Sequence, residues 1–237
     1  KVELRRLNMI KADQLPFKTG LNFTYDCGEF PEVFEKALNV ADYYAFEKRR
    51  MKSKEKQKIR GLGVSNPIEI AAGPDHKPNP EFAAVKAKTD GTLEVLVGSQ
   101  DSGQGHATSF RQLLSDRVGV NPENVNIITG DTRRIKQGTG TFGSRTIASA
   151  GTAIIHAINE IIDRLAPTAA EKLGVDQSEL QFSQGYWTCA GSHLRNHNVS
   201  FHEIQKMLKK DLEAESFCRT KGATFPNACH ICEVEID

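Results

Sequence analysis

The residues best suited to chemistry lie in two short loops, each of which sets small and hydrogen-bonding side chains directly before an apolar helical pattern. The first reads Gly98-Ser99-Gln100-Asp101-Ser102-Gly103-Gln104-Gly105-His106-Ala107-Thr108, and the second Gly138-Thr139-Gly140-Thr141-Phe142-Gly143-Ser144-Arg145-Thr146. Backbone N–H groups at a helix N-terminus have no intrahelical partner and are backed by the helix dipole, so such loops can hold phosphate. Glycines allow the backbone to approach a ligand closely. Gln104 adds an amide that both donates and accepts, which suits the edge of a heterocycle. Ser144, Thr146 and Arg145 add two hydroxyls and a guanidinium fork, the groups expected around a pyrophosphate. The competing reading makes each loop an ordinary glycine-rich turn capped by Ser or Thr. Two such loops in one domain bring these readings level, and both stay open on the residues alone.

Other motifs carry less. Gly138-x-Gly140-x-x-Gly143 matches a dinucleotide fingerprint, with Glu160 near the expected distance. That fingerprint needs a strand running into its first glycine, whereas Arg133-Arg134-Ile135-Lys136-Gln137 precedes it and Glu160 falls within a long helical pattern. It is therefore set aside. Cys229-His230-Ile231-Cys232 spells C-x-x-C, but a zinc site needs two further ligands and no second C-x-x-C exists. The pair also sits in a strand-like alternation, where positions three apart face opposite sides. His193 and His197 are four apart but lack the Glu of a zinc-protease helix, and Asp131 in Gly130-Asp131-Thr132 reads as a turn-capping residue before a cation ligand. No Ser/His/Asp or Cys/His set assembles, so no catalytic residue and no protein metal ligand is assigned.

The elements that must carry the loops are legible from periodicity. Val33, Phe34, Ala37, Leu38, Ala41, Ala45 and Phe46 predict one helix over Glu32 to Arg49, with Pro31 in its first turn. The following run from Lys48 to Lys58 reads as a solvated helix end. Gly61 to Val64 and Ile68 to Ile70 read as extended chain. The breaker-rich Ala72 to Pro80 marks the best boundary, giving 1–72, a linker over 73–80, and 81–237. Phe82 to Lys86 and Leu93 to Val97 flank Thr89-Asp90-Gly91, a strong hairpin signal. A helix is expected from Thr108 to Val118, a strand from Val125 to Ile128, and a long helix carrying Ile147, Ile154, Ile158, Ile161 and Leu165 that should stop at Pro167. Short strands at Leu180 to Phe182 and Tyr186 to Cys189, a helix near Phe201 to Lys209, and two strands ending at Ile236 complete the pattern. The mixture predicts an α+β fold with mixed sheets and helices packed on one face.

Composition excludes several classes. The 237 residues carry 31 basic and 30 acidic side chains, a formal charge of +1, and this balance gives no footprint for nucleic acid. No stretch reaches the roughly 18 consecutive apolar residues of a membrane span, and no signal-peptide pattern opens the sequence. Five scattered cysteines fit reduced thiols in a cytoplasmic protein. The sequence begins with Lys1 and stops at Asp237 directly after an apolar-alternating run, and the expectation is a fragment of a longer chain.

At the same two loops the sequence resembles a known family. Gly98 to Thr108, Gln112, Val118-Gly119-Val120 and Gly130-Asp131-Thr132 are similar to the second cofactor-binding half of molybdenum hydroxylase large subunits, the family of xanthine dehydrogenase, aldehyde oxidase and carbon monoxide dehydrogenase. Gly138 to Arg145 looks closest to the carbon monoxide dehydrogenase-like branch. Glu3-Leu4-Arg5-Arg6-Leu7-Asn8, Tyr25-Asp26-Cys27-Gly28, Arg60-Gly61-Leu62-Gly63, Phe225-Pro226-Asn227 and Glu233 to Asp237 keep the family order. On this resemblance 1–72 is the tail of the first cofactor-binding half and 81–237 the first part of the second.

The resemblance implies oxidative hydroxylation of an aldehyde or N-heterocycle, or oxidation of carbon monoxide, at a molybdenum held by molybdopterin, with water as the oxygen source. It implies that Gln104 hydrogen-bonds the pterin with Gly105, His106 and Thr108 beside it. Thr141, Phe142 and Gly143 would pass near the metal, and Ser144, Arg145 and Thr146 would hold the pyrophosphate end. It also implies a cytosine dinucleotide form of the cofactor, and 2Fe–2S clusters and FAD on partner domains or subunits. The remaining partners would be the rest of the large subunit and a small-molecule substrate, in an oligomeric complex. A G-G-x-F-G loop and a G-x-G-E segment, whose Glu is the family's general base, have no counterpart in this sequence, so the chain alone is expected to be inactive. The alternative is a non-catalytic nucleotide- or anion-binding module built on the two loops; a third reading is an intact cofactor-insertion or scaffold protein of the same fold.

Overall fold

The structure, a computed structural model, describes residues 1–21, 23–71, 79–189 and 198–237. They form two compact units, Lys1–Ile70 with Phe225–Asp237, and Ala71–Thr224. The units are therefore not the consecutive halves expected on either side of a linker, of which residues 73–78 lie outside the described residues.

In the first unit, α1 (Val2–Asn8) is followed by the short antiparallel pair β1 (Phe17–Lys18) and β2 (Thr24–Tyr25). The single helix expected over 32–49 is two, α2 (Phe30–Val40) and α3 (Phe46–Glu55). The break lies at Asp42, whose φ of 45° is left-handed and cannot continue a right-handed helix. Arg49 holds this corner by donating to the Ala41 and Asp42 carbonyls and to the Asp42 carboxylate. Phe34 and Leu38 of α2 are buried with Val2 in a small core. The basic α3 buries only Ser53, as a solvated helix should. β3 (Ile59–Ser65) pairs antiparallel with the last strand of the chain, His230–Ile236.

The second unit begins with the hairpin expected around Asp90-Gly91: β4 (Glu81–Ala87) and β5 (Leu93–Val97). The Asp90 carboxylate accepts from the Thr92 N–H and hydroxyl, fixing the turn. Next, α4 (His106–Val118) crosses over to β6 (Val125–Thr129), which lies parallel to β5. The long α5 runs over Thr146–Leu173. It passes through Pro167, where the sequence predicts a stop. The proline withholds one N–H from the helix, but Leu165, Ala169 and Ala170 are buried on either side of it. Helical continuation there is carried by packing rather than by propensity.

β7 (Leu180–Ser183), β8 (Tyr186–Cys189) and β9 (Asn198–Ser200) make a three-stranded antiparallel sheet, and α6 (Phe201–Lys206) follows with a Ser200–Glu203 capping box. β10 (Leu212–Cys218) then pairs antiparallel with β4, completing a mixed sheet of order β10-β4-β5-β6. β11 (His230–Ile236) is the partner of β3.

The main core lies against one face of the mixed sheet. Ala83, Val85 and Ala87 alternate inward on β4, and Leu93, Val95 and Val97 on β5, as the two-residue period of a strand requires. Against them pack Phe110, Leu114 and Val118 of α4 and Ala150, Ile154, Ile158, Ile161 and Leu165 of α5. Each buried isoleucine contributes about 2 kcal/mol of gross transfer free energy, so the body of α5 is held firmly against the sheet. This is the α+β fold with mixed sheets that the patterning predicts. No described helix is long and apolar enough to cross a membrane.

Candidate cofactor site

The parallel strands β5 and β6 end together, with Val97 beside Thr129. Beyond each carboxyl end the chain turns through a glycine-rich loop into a helix, 98–105 into α4 and 130–145 into α5. A helix that starts beyond a strand's carboxyl end brings backbone N–H groups without intrahelical partners toward the space next to it. Here that space is a cleft of about 440 Å³. Gln104, His106 and Ser109 line it from the first loop and α4, and Thr141, Phe142, Gly143, Ser144, Thr146 and Ile147 from the second loop and α5. The two turns therefore face one space. Of the remaining expected residues, Gly105 caps α4 in a left-handed conformation (φ 78°), while Thr108 is exposed outside the cleft lining and Arg145 is buried behind it.

Arg145 corrects the sequence-based expectation. Its guanidinium has no exposed surface and donates to Glu81 Oε2 at 2.9 Å, to the Gly140 carbonyl at 2.6 Å, and to the Asn79 and Pro80 carbonyls at 2.9 Å each. A fork committed to four internal acceptors is not presented to a pyrophosphate. Glu81 is equally buried. Its carboxylate also accepts from Ser99 Oγ at 2.7 Å, from the Phe82 N–H at 2.9 Å, and from the Thr139 and Gly140 N–H groups at 3.2 Å. Burial pushes this carboxyl up, but the hydrogen bonds from Ser99, Arg145 and the backbone outweigh it and hold the group below its ordinary value.

The loops also touch directly. A Cβ on Gly98 would stand 2.7 Å from Gly138 Cα, and a Cβ on Gly138 would meet Gly98 Cα at the same distance. Only glycine fits on both sides of this crossing. Thr141 Oγ1 donates to the Gln100 carbonyl and adds a second tie.

The two helix ends differ in charge. At α4 the Asp101 carboxylate accepts from the Gly103, Gln104 and His106 N–H groups at 2.9, 2.9 and 3.0 Å, which holds its pKa below the ordinary carboxylate value. This terminus already carries an anion. At α5 no side-chain hydrogen bond caps the helix, so its first N–H groups remain as donors beside the cleft. Thr146 Oγ1 and His106 Nδ1, both on residues lining the cleft, are buried without a hydrogen-bond partner. Gln104 accepts from the Ser102 N–H through Oε1, which leaves its NH2 group as a donor. Buried polar atoms are nearly always satisfied, so these groups fit an acceptor-rich ligand spanning the cleft.

Glu81, Ser99 and Asp101 escape sequence reasoning as functional residues. The available signals were a lone acid at the head of a mostly apolar strand and an Asp five residues before a helix start. Asp131 behaves as the turn residue expected, accepting from the Arg133 N–H at 3.0 Å. Glu160 lies within α5 beside Arg164, away from any strand end, in keeping with the rejected dinucleotide fingerprint. Cys229 and Cys232 are free thiols, and among the described residues no group of three His, Cys, Asp or Glu could hold a metal. His193 and His197 lie outside the described residues.

The chain is 26% identical over 253 residues to the carbon monoxide dehydrogenase large chain of Hydrogenophaga pseudoflava, covering 100% of this chain and 32% of that protein. It is 25% identical over 254 residues to the 6-hydroxypseudooxynicotine dehydrogenase complex subunit gamma of Paenarthrobacter nicotinovorans, covering 100% and 31%. Its fold matches reconstituted CO dehydrogenase from Oligotropha carboxidovorans with a TM-score of 0.83 at 25% identity, over 100% of this chain and 32% of that one. The chain spans under a third of the length of these relatives. Residues 36–237 match the molybdopterin cofactor-binding domain, and the chain belongs to that family.

Proposed function

We propose that this chain forms part of the large subunit of a molybdenum hydroxylase, and that the cleft between the two loops holds the molybdopterin. The observation that carries this reading is the convergence of unpartnered polar groups on one cleft: Thr146 Oγ1, His106 Nδ1 and the uncapped α5 terminus. The polarity of the site orients the ligand. Its phosphate end belongs at α5 with Ser144 and Thr146, because Asp101 would repel an anion at α4. The pterin edge belongs at the amide of Gln104, with His106 beside it, and Phe142, 41% exposed, supplies an apolar wall. A cytosine nucleotide on the cofactor fits the branch that the second loop resembles.

When bound, the group supplies the redox chemistry of oxidative hydroxylation with oxygen from water. The residues of this chain bind it and orient it; the cofactor carries the difficult step. The substrate is an aldehyde, an N-heterocycle or carbon monoxide. Electrons would leave to 2Fe–2S and flavin groups on partner domains or subunits, in an oligomeric cytoplasmic complex. The isolated chain is inactive on this reading.

The test is cofactor stoichiometry. In the full-length subunit purified with its partners, Gln104→Ala and Thr146→Ala are expected to lower molybdenum and pterin per subunit several-fold. Wild-type content in both variants refutes the assignment of the cleft. The 237-residue chain expressed alone is expected to purify without molybdenum, and stoichiometric metal would refute its incompleteness.

A further inference from the structure

The Glu81–Arg145 pair has no exposed surface, and taking two charges out of water is unfavourable. Apolar residues of similar volume would serve packing at least as well. What the pair does that they could not is gather donors and acceptors from three separate segments. Phe82 belongs to the start of β4, Ser99 to the first loop, and Thr139, Gly140 and Arg145 to the second. Arg145 returns the constraint by binding the carbonyls of Asn79, Pro80 and Gly140. The helix end bearing Thr146 begins directly after the anchored guanidinium. Neither Glu81 nor Arg145 lines the cleft.

Resting on the molybdopterin reading above, we propose that the Glu81–Arg145 ion pair is the positioning element of the site. It holds the Gln104 loop and the Thr146 helix end at the separation the cofactor spans. Glutamine at position 81 has nearly the same shape, but its NH2 must face donors whichever way the amide turns. One oxygen receives Phe82 and Thr139, the other Ser99, Gly140 and Arg145.

The experiment compares Glu81→Gln, Gln104→Ala and Ile158→Val in the full-length subunit within its complex. Ile158 is a fully buried α5 residue away from the cleft and serves as a packing control. Release of the molybdenum–pterin group is followed after dilution, and hydrogen exchange is followed on the cofactor-free protein. Glu81→Gln is expected to speed release by about tenfold or more, as loss of a supporting partner of a ligand residue does. The Thr139 and Gly140 amides should exchange faster in the same variant, while Ile158→Val, which loosens the core of α5, keeps the wild-type release rate. Wild-type release from Glu81→Gln together with faster release from Gln104→Ala overturns the positioning role alone. Wild-type release from both overturns the cofactor reading. Should Glu81→Gln fail to accumulate folded, Ser99→Ala removes one donor to the same carboxylate. It should speed release about three- to tenfold, the range of one lost hydrogen bond, and a wild-type rate there refutes the proposal.

Discussion

Replacing Gly98 by Ala tests the loop crossing at its tightest point. The added Cβ would lie 2.7 Å from Gly138 Cα and 3.0 Å from the Gln137 carbonyl oxygen, with the Glu81 carboxylate also in its way. Ordinary contact begins near 3.4 Å, so the two backbones must part by about 0.7 Å, and neither is the free end of a flexible side chain. Gly98 has no left-handed φ, so the effect is steric rather than conformational. Overpacking of this kind costs about 1–3 kcal/mol. Stretching the Glu81 bonds to Thr139 and Gly140, already 3.2 Å, adds roughly 1 kcal/mol more. A loss of about 2–4 kcal/mol is therefore expected, equivalent to a fall of roughly 5–10 °C in thermal midpoint for a unit of this size. Gly222→Ala in the same unit meets nothing within 4 Å and is the control. Urea denaturation monitored by near-ultraviolet circular dichroism reads both variants. Because either substitution alone opens the crossing, Gly98→Ala/Gly138→Ala should cost less than the sum of the single changes. A Gly98→Ala midpoint equal to that of Gly222→Ala would show that the loops do not touch as described.

Thr146→Val replaces a buried hydroxyl without a partner by a methyl of the same branching, so the chain itself should be unchanged or gain up to about 1 kcal/mol. A clear loss in a denaturation curve would mean that the hydroxyl is bonded within the protein. Acid should act through depressed carboxylates. Glu233 is held at about 2, by the Arg49 guanidinium first and by Arg60 after it, and Glu81 also lies below its ordinary value. A carboxyl depressed by folding adds stability above its unfolded pKa and loses it as pH falls through the folded one. The denaturation midpoint should hold between about pH 7 and 5 and decline below about pH 4, and a midpoint that rises there refutes the assignment.

The hairpin at Asp90-Gly91, α4 and the body of α5 are legible in the sequence because their signals are local: a turn dipeptide and a helical stripe. The break at Asp42 is not, since Ala41, Ala45 and Phe46 continue the helical spacing across it while the backbone turns left-handed. The Pro167 rule misleads because buried Leu165, Ala169 and Ala170 hold the helix together from outside. The two loops announce a ligand through composition. Their meeting depends on the parallel pairing of β5 with β6, which no local pattern states. The role of Arg145 is least legible of all. An arginine beside Ser144 and Thr146 has the chemistry of a phosphate ligand, and only its partner 64 residues earlier reveals an internal anchor.

The pairing of β11 with β3 has a consequence for assembly. The partner of Ile59–Ser65 is separated from it by the whole of the second unit, so the ribbon cannot close on the ribosome until His230–Ile236 has emerged. The second unit is contiguous and suffers no such delay. Until then, β3 presents a bare strand edge, the kind of surface that invites pairing with the wrong chain. Its glycines at 61 and 63 and the charge of Arg60 give that edge little to offer a stranger while it waits.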